Sequence, residues 1–274
     1  MRSPFGVALG LAAALTLAFL VLPIIAIFVD IPPGRLLDGM NDPAAIDALV
    51  VTLKTTLVAN LLILLVGTPA AYLIASRSFR AKPLVVTAVE LPLVLPPAVA
   101  GIGLLAAFGR NGLLGETLDV LGLSIPFTQL AVVLAVMFVA SPFYIRAAIS
   151  AFEAIDPALT GAARTLGAGP ARTFFRIALP LASGGLGAGW ALAFARGIGE
   201  FGATIMFAGS LQGVTQTLSL AVYEQFDVDF EVALAIGAEL VVISAFLLLA
   251  VKLVPTWTRS TSQSTTHFAP FSSR

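Results

Sequence analysis

The sequence predicts an all-α protein that crosses a membrane several times, and three observations lead to this fold class. The 274-residue chain is 58% hydrophobic and has a mean hydropathy of +1.00. Only 11% of its residues are charged, whereas soluble domains carry about 25%. Apolar runs long enough for a helix of about 20 residues recur along the chain. Helices are favoured because they satisfy their own backbone hydrogen bonds in lipid.

Six spans follow from these apolar runs. They cover residues 7–29, 49–75, 84–108, 128–149, 183–208 and the run from Glu231 to about Val254. A cleaved signal peptide is the alternative for the first span, but its apolar run exceeds the about 7–15 residues of a signal core and lacks a small-x-small site. We therefore expect residues 1–48 to form a first transmembrane helix and external loop, ahead of a core at 49–254. The polar, Ser/Thr-rich tail at 255–274 is expected to be disordered and cytoplasmic.

The third and sixth spans contain polar or helix-breaking residues. Pro92, Pro96 and Pro97 must kink or interrupt the third span, and the freed carbonyls need neighbouring helices or water. Glu90 in the third span and Glu239 in the sixth are each predicted to bond another helix rather than a substrate. Lys54, close to the start of the second span, is expected to extend towards the outer interface.

The basic residues predict the orientation of the spans. With a cytoplasmic N-terminus, eleven Lys and Arg residues lie inside and only two, Arg35 and Arg110, lie outside. The eleven are Arg2, Arg77, Arg80, Lys82, Arg146, Arg164, Arg172, Arg176, Lys252, Arg259 and Arg274. Because inside loops carry the excess of positive charge, both termini and the loop at 151–181 are predicted to be cytoplasmic.

The loop at 151–181 predicts two short helices joined by a glycine-rich elbow. Asp156 suits the N-cap of the first helix and Pro157 suits its first position. An apolar stripe is formed by Leu159, Ala162, Ala163 and Leu166 at i, i+3, i+4 and i+7. Gly167 is expected to end this helix in a left-handed cap.

The second helix of the loop is predicted to begin at Pro170 and to stop at Pro180. Arg164, Arg172 and Arg176 give the loop positive charge. The small residues of the stripe would let another helix or a partner's groove approach closely. An ordinary amphipathic segment at the membrane surface is the alternative interpretation.

The same loop resembles the signature loop of ABC importer permeases. That family's pattern is Glu-Ala-Ala, three residues, Gly, nine residues and Ile-x-Leu-Pro. This chain has Ala162-Ala163, Gly167 and Ile177-x-Leu179-Pro180 at the same spacing, and it departs at Gly161, which replaces the glutamate. The resemblance implies six transmembrane helices of the type I ABC importer permease kind, with cytoplasmic coupling helices that dock on a separate ATPase. The coupling residues it implies are Ala162, Ala163, Arg164, Gly167, Ile177, Leu179 and Pro180.

The fifth span combines small residues with an ion pair. Small residues recur every four positions, at Gly185, Gly189, Ala193 and Gly197; they predict close packing, either within the chain or against a second copy. Arg196 and Glu200 are four residues apart and can pair on one helix face. Ionisable groups at this depth cost about 2.5–3.5 kcal/mol each and usually face a cavity or a partner. We predict a pathway gate formed by Arg196, Gly199, Glu200, Gly202 and Thr204; a purely structural ion pair is the alternative.

The composition and motifs limit which other functions are expected. The chain has no cysteine, and its one histidine, His267, lies in the polar tail, so we expect no catalytic residue, cofactor site or metal site. The zero net charge gives no sign of nucleic-acid binding. No lysine occurs in the Gly-Lys-Ser/Thr of a P-loop. The chain is therefore expected not to be an enzyme, and ATP and Mg are expected to be used by a partner subunit.

Three further stretches resemble the molybdate/tungstate branch of these permeases. They are residues 91–101 with 108–115, residues 199–209 and residues 215–223. The Gly-Glu-Phe-Gly element within them is shared with sulfate/thiosulfate permeases. The resemblance implies an inner-membrane homodimer that works with an ABC ATPase dimer and an extracytoplasmic oxyanion-binding protein. A sulfate/thiosulfate permease is one alternative; a gradient-driven carrier is another, for which paired broken helices in inverted repeats would be the sign.

Overall fold

The computed structural model describes residues 4–253, and every regular element in this range is a helix. The prediction of an all-α membrane protein is confirmed. The predicted tail at 255–274 lies outside the described residues. In chain order the helices are α1 (Pro4–Val29), α2 (Pro33–Met40), α3 (Pro43–Ser76), α4 (Lys82–Val94), α5 (Pro97–Phe108), α6 (Gly115–Val120), α7 (Gln129–Glu153), α8 (Pro157–Thr165), α9 (Pro170–Thr173), a π-helical turn (Phe174–Ala178), α10 (Leu179–Ile198), α11 (Gly202–Ala208), α12 (Leu218–Phe226) and α13 (Phe230–Leu253).

Five helical segments in the described range are long and apolar enough to cross a membrane. They are Pro4–Val29, Pro43–Ser76, Gln129–Glu153, Pro170–Ile198 and Phe230–Ala250. The pair of α4 and α5 passes the same test together, but the two helices meet at an angle of 114°. The expected interruption of the third span is confirmed, and it is larger than a kink.

The bend between α4 and α5 has a local cause in the sequence. Leu95 has φ −66° and ψ 131°, and Pro96 has φ −54° and ψ 132°, so both are extended. A residue that precedes proline is driven out of the helical region by the proline ring. Two consecutive prolines therefore end α4, and Pro97 opens α5 at a position where its missing N–H costs nothing. Pro92 lies inside α4 without ending it.

The core is built around α7, which packs against α3 and α10. A Cβ added to Gly185 would lie 2.5 Å from Ala151 Cβ, and one added to Gly189 would lie 2.7 Å from Ala147 Cβ. The small-residue face of α10 therefore packs against α7 of the same chain, which decides between the two predicted partners for this face. Such contacts let two helix backbones approach closely, which is how helices associate in lipid.

The helices α2, α12 and α13 form a smaller group beside α3. A second core cluster joins Ala45 and Ala48 of α3 to Leu218, Ala221 and Ile236. Helix α1 packs mainly on α13, and none of its residues is buried. A predominantly apolar helix that leaves most of its surface exposed is suited to contact lipid.

Candidate functional site

Helix α8 begins and ends where the sequence predicts. Asp156 caps it, because Asp156 Oδ1 accepts a hydrogen bond from the Ala158 N–H at 2.8 Å. Gly167 has φ +82°, and the Ala168 N–H donates to the Ala163 carbonyl oxygen at 2.9 Å. Both the N-cap and the left-handed C-cap are thus confirmed. These caps give the short helix defined ends outside the bundle.

The apolar stripe of α8 is largely unused by the chain's own core. Leu159 is 49% exposed, Leu166 is 87% exposed and Ala162 is also exposed, whereas Ala163 is buried. Large apolar side chains on an exposed helix commonly mark a surface that contacts another protein. Leu159 and Leu166 thus form an apolar surface that the chain's own core leaves uncovered.

The second helix of the loop does not stop at Pro180, so that prediction was wrong. Residues Pro170–Ile198 form one continuous helical span through α9, the π turn and α10. Within the π turn, the Leu179 N–H donates to the carbonyl oxygen of Phe174, five residues back. This wider turn accommodates the ring of Pro180 without a break in the helix. Ile177 and Leu179 are half-buried there, and Pro180 is exposed.

The three arginines of the loop are available to a partner. Arg164, Arg172 and Arg176 are all exposed. Within residues 4–253 the ion pairs are Arg35–Glu231, Lys82–Glu153, Arg146–Glu90 and Arg196–Glu200. None of the three loop arginines is therefore neutralised by a carboxylate of the described chain.

The predicted fifth span at 183–208 is interrupted, which corrects the expectation of one continuous helix. Helix α10 ends at Ile198, and α11 begins at Gly202. Between them Phe201 has φ −124° and ψ −56°, outside the helical region. Gly199 and Gly202 border this break, and glycine is the weakest helix former after proline.

Glu200 connects the two sides of this break. Its Oε2 lies 2.7 Å from Arg196 Nη2, and its Oε1 accepts a hydrogen bond from the Ala203 N–H at 2.7 Å. The Glu200 side chain is 1% exposed and that of Arg196 is 28% exposed. The predicted pair forms, although Glu200 lies beyond the end of α10 rather than on one of its faces.

The interruptions of the third and fifth spans are in direct contact. A Cβ added to Gly202 would lie 2.7 Å from Pro97 Cβ, and one added to Gly101 would lie 2.6 Å from the Ala203 carbonyl oxygen. Helices α5 and α11 thus meet backbone to backbone, and glycine permits this approach. The sequence analysis predicted an interruption only in the third span and did not predict this contact; Gly101 and Gly202 were the available signal, because glycine permits close approach of two backbones.

A buried polar layer lies close to the break and was missed in the sequence. Helix α3 buries four polar residues, at Thr52, Thr55, Thr56 and Asn60. The position of a Cβ on Gly197 is 3.7 Å from Asn60 Nδ2, and Thr52 Oγ1 accepts the Leu218 N–H at 2.8 Å. The predicted gate residue Thr204 is 0% exposed. Polar side chains at spacings of three and four within an apolar run were the available signal, because such residues face the bundle interior.

The remaining polar residues of the spans have mainly structural contacts. Glu90 pairs with Arg146 at 3.1 Å and so links α4 to α7, as predicted. Lys54 Nζ donates to Oε1 of Gln129, the first residue of α7, at 2.8 Å. Glu239 is buried, and its Oε2 has no hydrogen-bond partner among the described residues, so the predicted helix–helix bond is not made by that atom. Within residues 4–253 no group of three or more His, Cys, Asp or Glu residues is placed to hold a metal ion.

Comparison with known proteins places these features in a family. The family model described as "Binding-protein-dependent transport system inner membrane component" matches residues 43–260. The molybdenum transport system permease protein of Mycobacterium tuberculosis is 40% identical over 241 residues, which cover 88% of this chain and 91% of that protein. A probable sulfate transport system permease protein of Chlorokybus atmophyticus is 32% identical over 248 residues, covering 88% of this chain and 87% of that protein.

The fold is shared with solved transporters. A bacterial ABC transporter involved in the import of the acidic polysaccharide alginate superposes with a TM-score of 0.73 at 17% identity, covering 92% of this chain and 94% of that one. The helix bundle with its interrupted third and fifth spans is thus the fold of an ABC importer permease. From the match over residues 43–260, the chain belongs to the family of binding-protein-dependent transport system inner membrane components.

Proposed function

We propose that this chain is the membrane-spanning subunit of an ATP-driven importer and forms the pathway for molybdate or tungstate. One observation carries the transport role: a continuous helical path runs from the exposed loop at Pro170 to the break after Ile198. A displacement applied to the loop therefore reaches the interrupted spans through a rigid element. The substrate class is supported by the relative from Mycobacterium tuberculosis, which is a molybdenum permease by name.

The loop couples this chain to a separate ATPase dimer, which uses ATP and Mg. The coupling residues in this proposal are Ala162, Ala163, Arg164, Gly167, Ile177, Leu179 and Pro180. The exposure of Leu159 and Leu166 supports the docking role, since these apolar side chains are left without a partner in the chain's own core. ATP-driven closure of the partner would move α8 and the π turn together and shift the spans between two packings.

The gate of the pathway lies at the break between α10 and α11. Its residues in this proposal are Arg196, Gly199, Glu200, Gly202 and Thr204. The contact of Gly202 with Pro97 and of Gly101 with Ala203 supports a gate in which both interrupted spans move as one unit. Arg196 gives this region positive charge, which an anion requires, and Glu200 offsets part of it.

The assembly in this proposal holds two copies of the chain in the inner membrane, with both termini in the cytoplasm. The excess of Lys and Arg in the inside segments supports this orientation. An extracytoplasmic oxyanion-binding protein delivers the substrate, which is consistent with a family described as binding-protein-dependent. The core at 49–254 forms the translocation unit, and the first helix with its external loop at 1–48 lies beside it.

The test is stimulation of ATP hydrolysis in reconstituted vesicles that contain this chain, its candidate ATPase and its candidate binding protein. Molybdate, tungstate and sulfate are compared at matched concentrations, with vesicles that lack this chain as the control. We expect stimulation by molybdate and tungstate and little by sulfate. Stimulation by sulfate alone would support the proposed importer mechanism but would identify sulfate as the substrate. The relative from Chlorokybus atmophyticus, a probable sulfate permease by name, makes this the specific alternative. Substrate uptake without any ATPase association would instead indicate a gradient-driven carrier.

A further inference from the structure

A groove of about 360 Å³ lies between α8 and the ends of α3 and α7 next to the loop. Helix α8 lines it with Pro157, Thr160, Gly161 and Arg164. These positions are i, i+3, i+4 and i+7, so they share one face of the helix. The exposed leucines of the stripe, Leu159 and Leu166, lie on the opposite side of α8. Two different faces of the same short helix are therefore open.

The groove is open beside Gly161, which lines it on the side of α8. A Cβ at this position would meet nothing within 4 Å, and the residue is exposed. Gly161 has no positive φ that would demand glycine, since in the described chain positive φ values occur at Phe127 and at Gly122, Gly167, Gly209 and Gly213. Space for an incoming side chain is thus present without any backbone requirement for glycine.

The charge in the groove is positive. Arg164 lines it and has no carboxylate partner among the described residues. The other ionic residue in the lining, Glu153, is paired with Lys82 at 2.9 Å. One guanidinium is left uncompensated, and a guanidinium binds a carboxylate through two parallel hydrogen bonds. Arg172 and Arg176 add further unpaired positive charge nearby in the loop.

We infer that the partner ATPase places an aspartate or glutamate in this groove, where its carboxylate pairs with Arg164. The inference rests on the proposed function and specifies the chemistry of the partner's docking surface. Two observations support this occupant: the guanidinium of Arg164 has no carboxylate partner among the described residues, and the space beside Gly161 is open to an incoming side chain.

The experiment measures the affinity of the purified partner ATPase for this chain in lipid nanodiscs. Arg164→Glu reverses the charge in the groove and is expected to weaken binding by about tenfold or more, as for the loss of one charge-assisted contact. Arg80→Glu is the matched control, because Arg80 is exposed in the loop between α3 and α4 and does not line the groove. We expect this control to bind within about threefold of wild type, since an exposed charge contributes little.

A second pair of variants tests the open space at position 161. Gly161→Glu puts the chain's own carboxylate three residues from Arg164, so it is expected to weaken ATPase binding by about tenfold. Gly161→Gln adds a side chain of the same size without the charge and is expected to weaken binding less. Equal weakening by Glu and Gln would contradict the ion pair. Restoration of Arg164→Glu binding by a change of one acidic residue of the ATPase to Arg would identify the partner residue.

The outcomes separate this inference from the proposed function. If the wild-type chain binds no ATPase, the proposed function fails. If wild type binds and Arg164→Glu binds equally well, only the inference fails. If Arg164→Glu loses bound anionic phospholipid but keeps its affinity for the ATPase, the inference is overturned. A lipid headgroup would then be the group that occupies the groove. An unchanged thermal unfolding midpoint shows that a variant retains the fold. If Arg164→Glu lowers this midpoint, Arg164→Gln is used in its place.

Discussion

Glu200 pairs with Arg196 at 2.7 Å across the break between α10 and α11, although Glu200 belongs to neither helix. Its other carboxylate oxygen accepts the Ala203 N–H at the start of α11. One buried side chain thus joins the end of one helix to the beginning of the next. The break is consequently a defined corner, and the Glu200 carboxylate is one of the groups that stabilise it.

Glu200→Gln should destabilise the protein and reduce transport. The amide oxygen can still accept from Ala203, but Arg196 loses its counter-ion. Removal of one partner from a fully buried pair costs about 3–5 kcal/mol, and we expect less here because the Arg196 side chain is 28% exposed. The measurement is the thermal unfolding midpoint in detergent together with substrate uptake. The double variant Arg196→Met/Glu200→Gln should recover part of the stability, and an unchanged midpoint for Glu200→Gln alone would contradict the prediction.

Gly101→Ala should separate α5 from α11. The added Cβ would lie 2.6 Å from the Ala203 carbonyl oxygen, which is backbone and cannot move aside cheaply. Overpacking of this kind costs about 1–3 kcal/mol, so the unfolding midpoint and the uptake rate should both fall. Gly103→Ala on the same helix is the control, because its Cβ would meet nothing within 4 Å. Equal unfolding midpoints and uptake rates in the two variants would show that the close contact between α5 and α11 is not needed for stability or transport.

Leu166→Ser should weaken ATPase binding without loss of the fold. Leu166 is 87% exposed and packs on nothing in the core. Burial of a leucine against a partner contributes about 1.5–3 kcal/mol, so its loss should weaken binding by about tenfold or more. Leu113→Ser is the matched control, since Leu113 is 90% exposed on the side predicted to be external. The measurement compares the dissociation constants of the two variants for the ATPase. Equal values would show that Leu166 does not lie in the interface.

Gly167→Ala should loosen the end of α8. Its φ of +82° lies in the left-handed region, where a side chain costs about 1–2 kcal/mol. Hydrogen exchange at the α8 amides should become faster, and ATPase affinity should fall. Gly169→Ala tests the neighbouring glycine, whose φ is −67° and whose Cβ would meet nothing within 4 Å. Exchange rates that rise equally in both variants would argue against a specific cap.

The features that could be predicted from sequence are those decided within a few residues. Asp156 and Gly167 cap α8 as expected, because capping depends on one side chain or one φ angle next to the helix end. The apolar runs identified the membrane-crossing helices, because the bilayer dictates both their length and their composition. Pro96 and Pro97 predicted the interruption of the third span, because a proline drives the residue before it out of the helical region.

The predictions that failed depend on longer-range structure. Pro180 does not stop its helix, because the π turn before it shifts the hydrogen-bond register and makes room for the ring. The helix predicted over 183–208 ends at Ile198 because Glu200 and the packing of Gly202 on Pro97 stabilise a corner that no local propensity requires.

By itself, the sequence determined the class of protein, the membrane-crossing segments and the capped loop helix, since each is encoded by neighbouring residues. Only the tertiary structure decided that the small face of α10 packs on α7, that Arg146 pairs with Glu90, and that α5 meets α11. The physical reason is that close packing joins residues far apart in the chain. A glycine or a charged residue within a span indicates that a packing or ion-pair partner is needed, and the fold determines which residue that partner is.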